Sequence, residues 1–498
     1  MIPELARGLA QTSRSVQPLR WLNVAALPPL VVGGQVLETA QVLAFLEALR
    51  QSSSMQPHPV VRLVRYHADP ASLRAFLWQL VAQWELSRVS GRWIFEALSL
   101  FGDDDLVREL AARVLAWREQ GNYHRVTLGL ECLAAMGFDS ALRALNAFAQ
   151  QERYKAVQNR AIAHLERIAA TRQLSRRQLE DRIVPRFGLE DSAAAFGFGR
   201  RRFFVTLNDQ LALVLCDERG NLLRSLPKPT RNETAECVAH ARERWKALRK
   251  DITQEIRVQS ARFERAMVDR YRWDSIDWEQ AILGHPLLVA LARRVLWAGY
   301  DANGALLDVF CLAEDLSASN ERYTTIRPRD FAAIGIPHPA DVPLERRLAW
   351  IELLQEFQIM PLFPQLSRPV YNLAAVGSEQ TAITHFAATH LKLGTTRQLY
   401  RQHWRSGGYE DMGKVGFSMF SIIRRFEGAN ITAVARYRSA RDHELCEECF
   451  FFYGLLAKYR HEDQHMPIAL GDVPAIVLSE TIRDWIDLVN NPKYHYEG

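Results

Sequence analysis

Near the carboxyl end, His461-Glu462-Asp463-Gln464-His465 fits the letters His-Glu-x-x-His. On a helix, those histidines would stand one turn apart, bind zinc and leave the glutamate as general base. The neighbouring residues oppose that chemistry. The motif needs an apolar residue after the glutamate, and Asp463 stands there. Pro467 follows His465 within two residues and would stop the helix. A second pattern uses the same histidines. Cys446-x-x-Cys449 is followed after eleven residues by His461 and after three more by His465, close to zinc-finger spacing. The intervening FFFYGLLAKYR reads instead as a strand buried on both faces, with Cys446 and Cys449 on opposite sides of it. The expectation is a core cysteine pair and a surface histidine loop, with no metal or other cofactor. Zinc held by Cys446, Cys449, His461 and His465 is the alternative.

Other catalytic patterns are missing from the sequence. It holds no Gly-x-Ser-x-Gly elbow, no Walker A loop and no kinase set. Gly197 and Gly199 in GFGR lack the third glycine and the Gly-Lys-Ser/Thr of a phosphate loop, and read as a strand kink. Glu314-Asp315 and Glu447-Glu448 are adjacent acids without a partner base. His285, before Pro286, reads as a helix cap.

Charge offers a different chemistry. The net charge is +5, yet the stretch from Arg200 to Lys250 alone carries twelve Lys/Arg against six Asp/Glu. The rest of the chain is therefore close to neutral. A local cationic surface attracts nucleic acid, phosphate or an acidic protein, or is a solvated face. The candidate binding residues are Arg200, Arg201, Arg202, Arg242, Lys246, Arg249 and Lys250. Arg368, in SRPVY, is an anion anchor or a structural salt bridge.

The element that must position these cations is a long helix from about Glu236 to about Arg270. Val238, Trp245, Leu248, Ile252, Ile256, Phe263 and Met267 recur at three, four or seven residues and form one apolar stripe. Ten Lys/Arg and six acids share the segment 236–272. The helix is thus a spine with a basic outer face.

Ser225 to Leu288, together with LPPLVVGG (Leu27–Gly34), LEDRIVPRFGL (Leu179–Leu189), FQIMPLFPQLSRPVY (Phe357–Tyr371) and LGDVPAIVLSETIRD (Leu470–Asp484), resembles the bacterial family known as domain of unknown function 4132. That family includes MolR-like proteins, labelled as molybdate-metabolism regulators. It has no agreed catalytic residues to carry over. Longer members carry a WGR module associated with nucleic-acid ends, and this chain contains no Trp-Gly-Arg tripeptide.

A chain of 498 residues, 48% hydrophobic and 24% charged, has room for about three globular domains. Six scattered cysteines do not make a disulfide framework. MIPELARGLAQ holds no apolar run for a signal peptide, and the apolar Trp21–Leu37 stretch is broken by Pro28, Pro29, Gly33 and Gly34. These features predict a soluble cytoplasmic protein with no membrane association.

The fold expected is α+β. Residues 1–35 read as a tail and lead-in, and 36–175 as a HEAT-like α-solenoid. An α+β domain at 176–366 opens with an antiparallel meander, and 367–498 forms a second α+β domain. Within it, Ser378–Arg405 is predicted as helix, loop and helix. The preferred function is a non-enzymatic regulatory or scaffold protein that binds protein partners through the helical repeat and the basic domain. Nucleic-acid association through 200–250 comes second. A zinc-binding or cryptic enzyme in the carboxyl half comes third.

Overall fold

The computed structural model describes the chain except residues 1, 18, 88, 152–153, 190–195, 199–200, 218, 224, 231–232, 372–378, 384–388, 403, 412–417, 440–442, 455–466 and 491–498. It divides into two compact units, Met1–Pro185 and Arg186–Gly498.

The first unit is helical: α1 (Pro3–Thr12), α2 (Thr39–Arg50), α3 (Pro59–His67), α4 (Pro70–Glu85), α5 (Arg92–Leu100), α6 (Asp104–Glu119), α7 (Tyr123–Met136), α8 (Asp139–Gln151), α9 (Lys155–Thr171) and α10 (Arg176–Arg182). Local signals set the boundaries. Proline opens α3 and α4. Asp103 caps α6 by accepting from the Leu106 amide at 2.7 Å. In α4, Leu73, Phe76, Leu77, Leu80, Val81 and Trp84 are all buried, the face expected from their spacing. Helix α1 packs on α2, α2 on α3, and each of α6 to α9 on the next, while α5 and α6 both reach α7. One apolar core runs from Leu5 to Ile183.

The amino end differs from expectation. Residues 3–12 form α1, with Leu5 and Leu9 buried against α2 and α3. Only tertiary packing rewards so short a helix. LPPLVVGG folds as a hairpin of β1 (Val31–Val32) and β2 (Gln35–Val36), turned by Gly33 and Gly34 at φ +58° and +77°.

The second unit carries three antiparallel sheets. β3 (Phe196–Phe198), β4 (Arg201–Leu207), β5 (Leu213–Cys216) and β6 (Leu222–Leu223) form the expected meander. Asn208 and Asp217 close its turns through side-chain to backbone hydrogen bonds. Next comes α11 (Ala235–Val268), capped by Thr234. The middle sheet has the order β11-β10-β9-β8-β12-β7. Its strands are β7 (Arg272–Asp274), β8 (Trp297–Tyr300), β9 (Leu306–Leu312), β10 (Ala318–Ser319), β11 (Thr325–Ile326) and β12 (Ala333–Gly335). Helices α12 (Ser275–Trp278), α13 (Pro286–Ala292) and α14 (Leu344–Glu356) accompany it.

The last sheet runs β13-β18-β17-β16-β15, with β14 also on β18. Its strands are β13 (Ala382–Ile383), β14 (Thr389–Lys392), β15 (Arg405–Asp411), β16 (Ser418–Phe426), β17 (Ile431–Ser439) and β18 (His443–Gly454). The closing helix is α15 (Ala475–Val489). Ser378–Arg405 is therefore corrected from two helices to β13, β14 and a 3-10 segment, Thr395–Gln402. Pairing with the distant β18 overrides the local helical spacing there.

The apolar stripe of α11 is split between two partners. Trp245 meets Phe196 of the meander at 5.4 Å between ring centroids, and Phe263 meets Trp297 of the middle sheet at 5.7 Å. The end of α11 also supports the last sheet. Gly428, between β16 and β17, lies so close to Asp269 that an added Cβ would stand 1.7 Å from its carbonyl oxygen. Gly428→Ala is expected to lower stability by about 2–3 kcal/mol, read from the urea midpoint. A loss below about 0.5 kcal/mol would mean that the turn swings clear of α11 at little cost.

Candidate functional site

Along α11, Arg242, Lys246, Arg249, Lys250 and Arg257 are all exposed. They stand at i, i+4, i+7, i+8 and i+15, which at about 100° per residue confines them to a sector of about 100°. No carboxylate between residues 236 and 260 falls in that sector; the nearest, Glu243, stands just outside it. The stripe is about 22 Å long at 1.5 Å rise per residue. None of the five is held in an ion pair by a described residue. Val238, Ala241, Trp245 and Ile252, all buried, fix the helix along the adjoining face, so the row of charges is carried by a rigid rod.

The cations before the helix fare differently. Arg200 lies outside the described residues. Arg202 is exposed on β4. Arg201 is consumed by structure. Its Nε and Nη2 donate to the two carboxylate oxygens of Glu233 at 2.9 Å each, and Nη2 also reaches the Lys228 carbonyl at 2.9 Å. The guanidinium lies over the rings of Phe198 and Phe203. Hydrogen bonding from Arg201 holds the Glu233 carboxyl below its ordinary range. Arg201 thus clamps the meander to the approach of α11 and drops out of the binding set.

Arg368 drops out for a stronger reason. It is buried, and its Nη1 donates to both carboxylate oxygens of Glu480 at 2.8 and 2.9 Å, while Nη2 pairs with Glu264 of α11. Glu480 also accepts from His338 Nε2 at 3.2 Å, from Arg483 at 3.2 Å and from Arg424 at 3.5 Å. His338 Nδ1 accepts from the Ala340 amide at 3.1 Å, which leaves the ring proton on Nε2, facing Glu480. One turn along α15, Asp484 pairs with Arg424, takes 2.9 Å hydrogen bonds from Arg483 and Trp404, and is fully buried. Three guanidiniums (Arg368, Arg424, Arg483) face three carboxylates (Glu264, Glu480, Asp484). Each guanidinium is thus matched by a carboxylate within the cluster.

Burial alone would push the Glu480 carboxyl up, but the His338 hydrogen bond and the charges of Arg483, Arg368 and Arg424 hold it well below the usual carboxylate range. Sequence reasoning missed Glu480, Asp484, Arg424 and His338. The readable signal was AIVLSETIRDWIDLV, an apolar helix with acids at 480 and 484, one turn apart, on a buried face.

The proposed zinc ligands are only partly in view. His461 and His465 lie outside the described residues. Cys446 and Cys449 belong to β18, as expected for a strand. The register slips where Arg436 faces Glu448 and Tyr437 faces Cys446, so strict alternation does not hold across Glu447. Among the described residues, no group of three His, Cys, Asp or Glu is assembled to hold a metal ion. Nor is any described helix long and apolar enough to cross a membrane. His285 caps α13 through its Nδ1, which accepts from the amides of Leu287 and Leu288 at 3.2 and 3.3 Å.

The uncharacterized protein YehI of Escherichia coli (strain K12) is 30% identical over 404 residues, which are 80% of this chain and 33% of that protein. The chain thus spans about a third of the length of the curated relative it matches. No solved structure matches it. The segment bearing the cationic row, the middle sheet and Arg368 falls within residues 220–404, and these match the model of the family described as Domain of unknown function (DUF4132).

Proposed function

We propose that this chain is a binding and scaffold protein rather than a catalyst, and that nucleic acid docks along the basic face of α11. One observation carries this reading: five exposed cations, none ion-paired to a described residue, in a row about 22 Å long on a helix anchored along the adjoining face. A row of point charges on a rigid rod suits a linear polyanion, whose phosphates repeat along an axis. A regulatory role of this kind agrees with the resemblance to proteins labelled as molybdate-metabolism regulators.

Fluorescence anisotropy with a labelled 20-base-pair duplex tests it. Five phosphate contacts give a slope of about −4.5 in log affinity against log salt, so raising KCl from about 50 to about 200 mM should weaken binding by about 500-fold. Replacing Arg242, Lys246, Arg249 and Lys250 by Gln should cut that slope to about −1 and leave the melting temperature nearly unchanged, since all four are exposed. No binding at low salt, or an unaltered slope in the variant, rejects the reading.

A second reading assigns a protein partner to the helical unit, which we take as a HEAT-like solenoid from its consecutive and next-but-one helix contacts. It is favoured by exposed Tyr123 and Tyr154, whose rings meet edge to face at 6.3 Å with Arg118 lying over Tyr154. Tyrosine and arginine are the side chains that dominate interface hot spots. A partner bound there is expected to be lost from a Tyr123→Ser/Tyr154→Ser double variant that keeps its fold, as seen by pull-down and circular dichroism.

A further inference from the structure

We propose that a cavity of about 190 Å³ between the end of α13, strand β9 and α14 binds a small amphipathic monocarboxylate with an aryl or short alkyl body. Its walls are apolar: Val295 and Leu296 come from the segment before β8, Ile351 and Leu354 from α14, and Ile359 and Pro361 from the chain beyond that helix. Val295 and Leu296 are buried and form a closed floor. An apolar cavity of about 150 Å³ in a protein core takes up benzene. This one has space for a single ring, or a chain of similar bulk, with its head group at the rim.

The polar lining side chains are the cationic Arg293 and Arg294 and the neutral Gln355, Gln365 and Ser367. Gln365 lines the cavity, but its amide is committed to the backbone: Oε1 accepts from Leu296 N at 3.0 Å, and Nε2 donates to the carbonyls of Leu296 and Pro337. Arg293 reaches Glu314 at 3.1 Å with Nη2, yet its Nε is buried with no hydrogen-bond partner among the described residues. Arg294 beside it has no ion pair with a described residue. Burial lowers its pKa first; the charge of Asp209 acts against this, and that of Arg293 adds to it. Arg293 is thus paired with Glu314, which is itself exposed, while Arg294 feels the charge of Asp209 without an ion pair to a described residue. A partly desolvated cation beside apolar walls has no ion-pair partner among the described residues, and a planar carboxylate fits its fork. Both helix ends at the cavity are carboxyl ends, following α13 and α14, so it lacks the amide cradle by which a phosphate is usually held.

Calorimetric titration of the full chain decides the matter, with benzoate, benzyl alcohol and inorganic phosphate as probes. Benzoate is expected to bind with a dissociation constant of about 1 mM or below, benzyl alcohol at least about 10-fold more weakly, and phosphate not at all. Arg294→Met should erase the preference for benzoate over the alcohol. Leu354→Trp should fill the cavity and abolish both, with a thermal melt confirming its fold. No benzoate binding at about 10 mM overturns the proposal. So does phosphate binding as strong as benzoate, or a preference that survives Arg294→Met. Arg294 is only partly buried and tolerates the change, so its variant keeps the test decisive if the tryptophan variant fails to fold.

Discussion

Glu480→Gln is expected to destabilise the second unit by about 3–5 kcal/mol, read as a fall in the urea midpoint with an unchanged slope. The substitution keeps the shape and removes the charge. Arg368 and Arg424 then stay buried with Asp484 and Glu264 as their only opposite charges in the cluster, and Arg483 loses one of its two partners. The cost comes from stranding those guanidiniums away from water, not from losing one attractive pair. Arg483→Gln should cost clearly less, because that side chain is 16% exposed and recovers part of its hydration.

Acid should expose the same effect. The Glu480 carboxyl is depressed in the folded state, so its contribution is fully present above its ordinary value of 4.5 and is lost as pH falls below that. The stability gap between wild type and Glu480→Gln is therefore expected to be constant near neutrality and to close steadily below about pH 4.5. A variant within about 1 kcal/mol of wild type, or a gap that widens in acid, would show that the cluster is not what holds α15 in place.

Local periodicity made the long elements readable, and non-local pairing hid the rest. The apolar stripe of α11, the helices from α4 to α9 and the meander β3–β6 each announce themselves within a few residues, because the burial pattern has the period of the element itself. Helix α1 and strands β13 and β14 do not. Leu5 and Leu9 are buried only because α2 and α3 cover them, and β13 and β14 exist only because β18 lies beside them. The candidate site divides the same way. A charge count locates the basic helix, and helical geometry puts Arg242, Lys246, Arg249 and Lys250 on one face. It cannot show that Arg201 is spent on Glu233, 32 residues away, or Arg368 on Glu480, 112 residues away. An unpaired cation and a paired one have the same letter.

Trp297→Ala is expected to cost about 3–5 kcal/mol, while Trp297→Phe costs about half as much or less. Trp297 is fully buried on β8 and touches the rings of Phe263, Trp273 and Trp278 at 5.7, 5.7 and 5.1 Å between centroids. Its Nε1 also donates to the Ala292 carbonyl at 2.9 Å, closing the end of α13. Removing the indole opens a cavity where the carboxyl half of α11, the middle sheet and α12 meet, and relaxation cannot fill it cheaply because three of its neighbours are themselves rigid rings. The amino half of α11, which carries Arg242, Lys246, Arg249 and Lys250 of the cationic row, is anchored separately by Trp245 on Phe196. The two anchors should therefore part company. At a temperature where both variants remain folded, Trp297→Ala is expected to keep the salt-dependent nucleic-acid affinity of the wild type within about threefold, and Trp245→Ala to lose most of it. Equal losses in both would mean that α11 acts as one undivided lever, and that the basic row depends on the whole helix rather than on its seat against the meander.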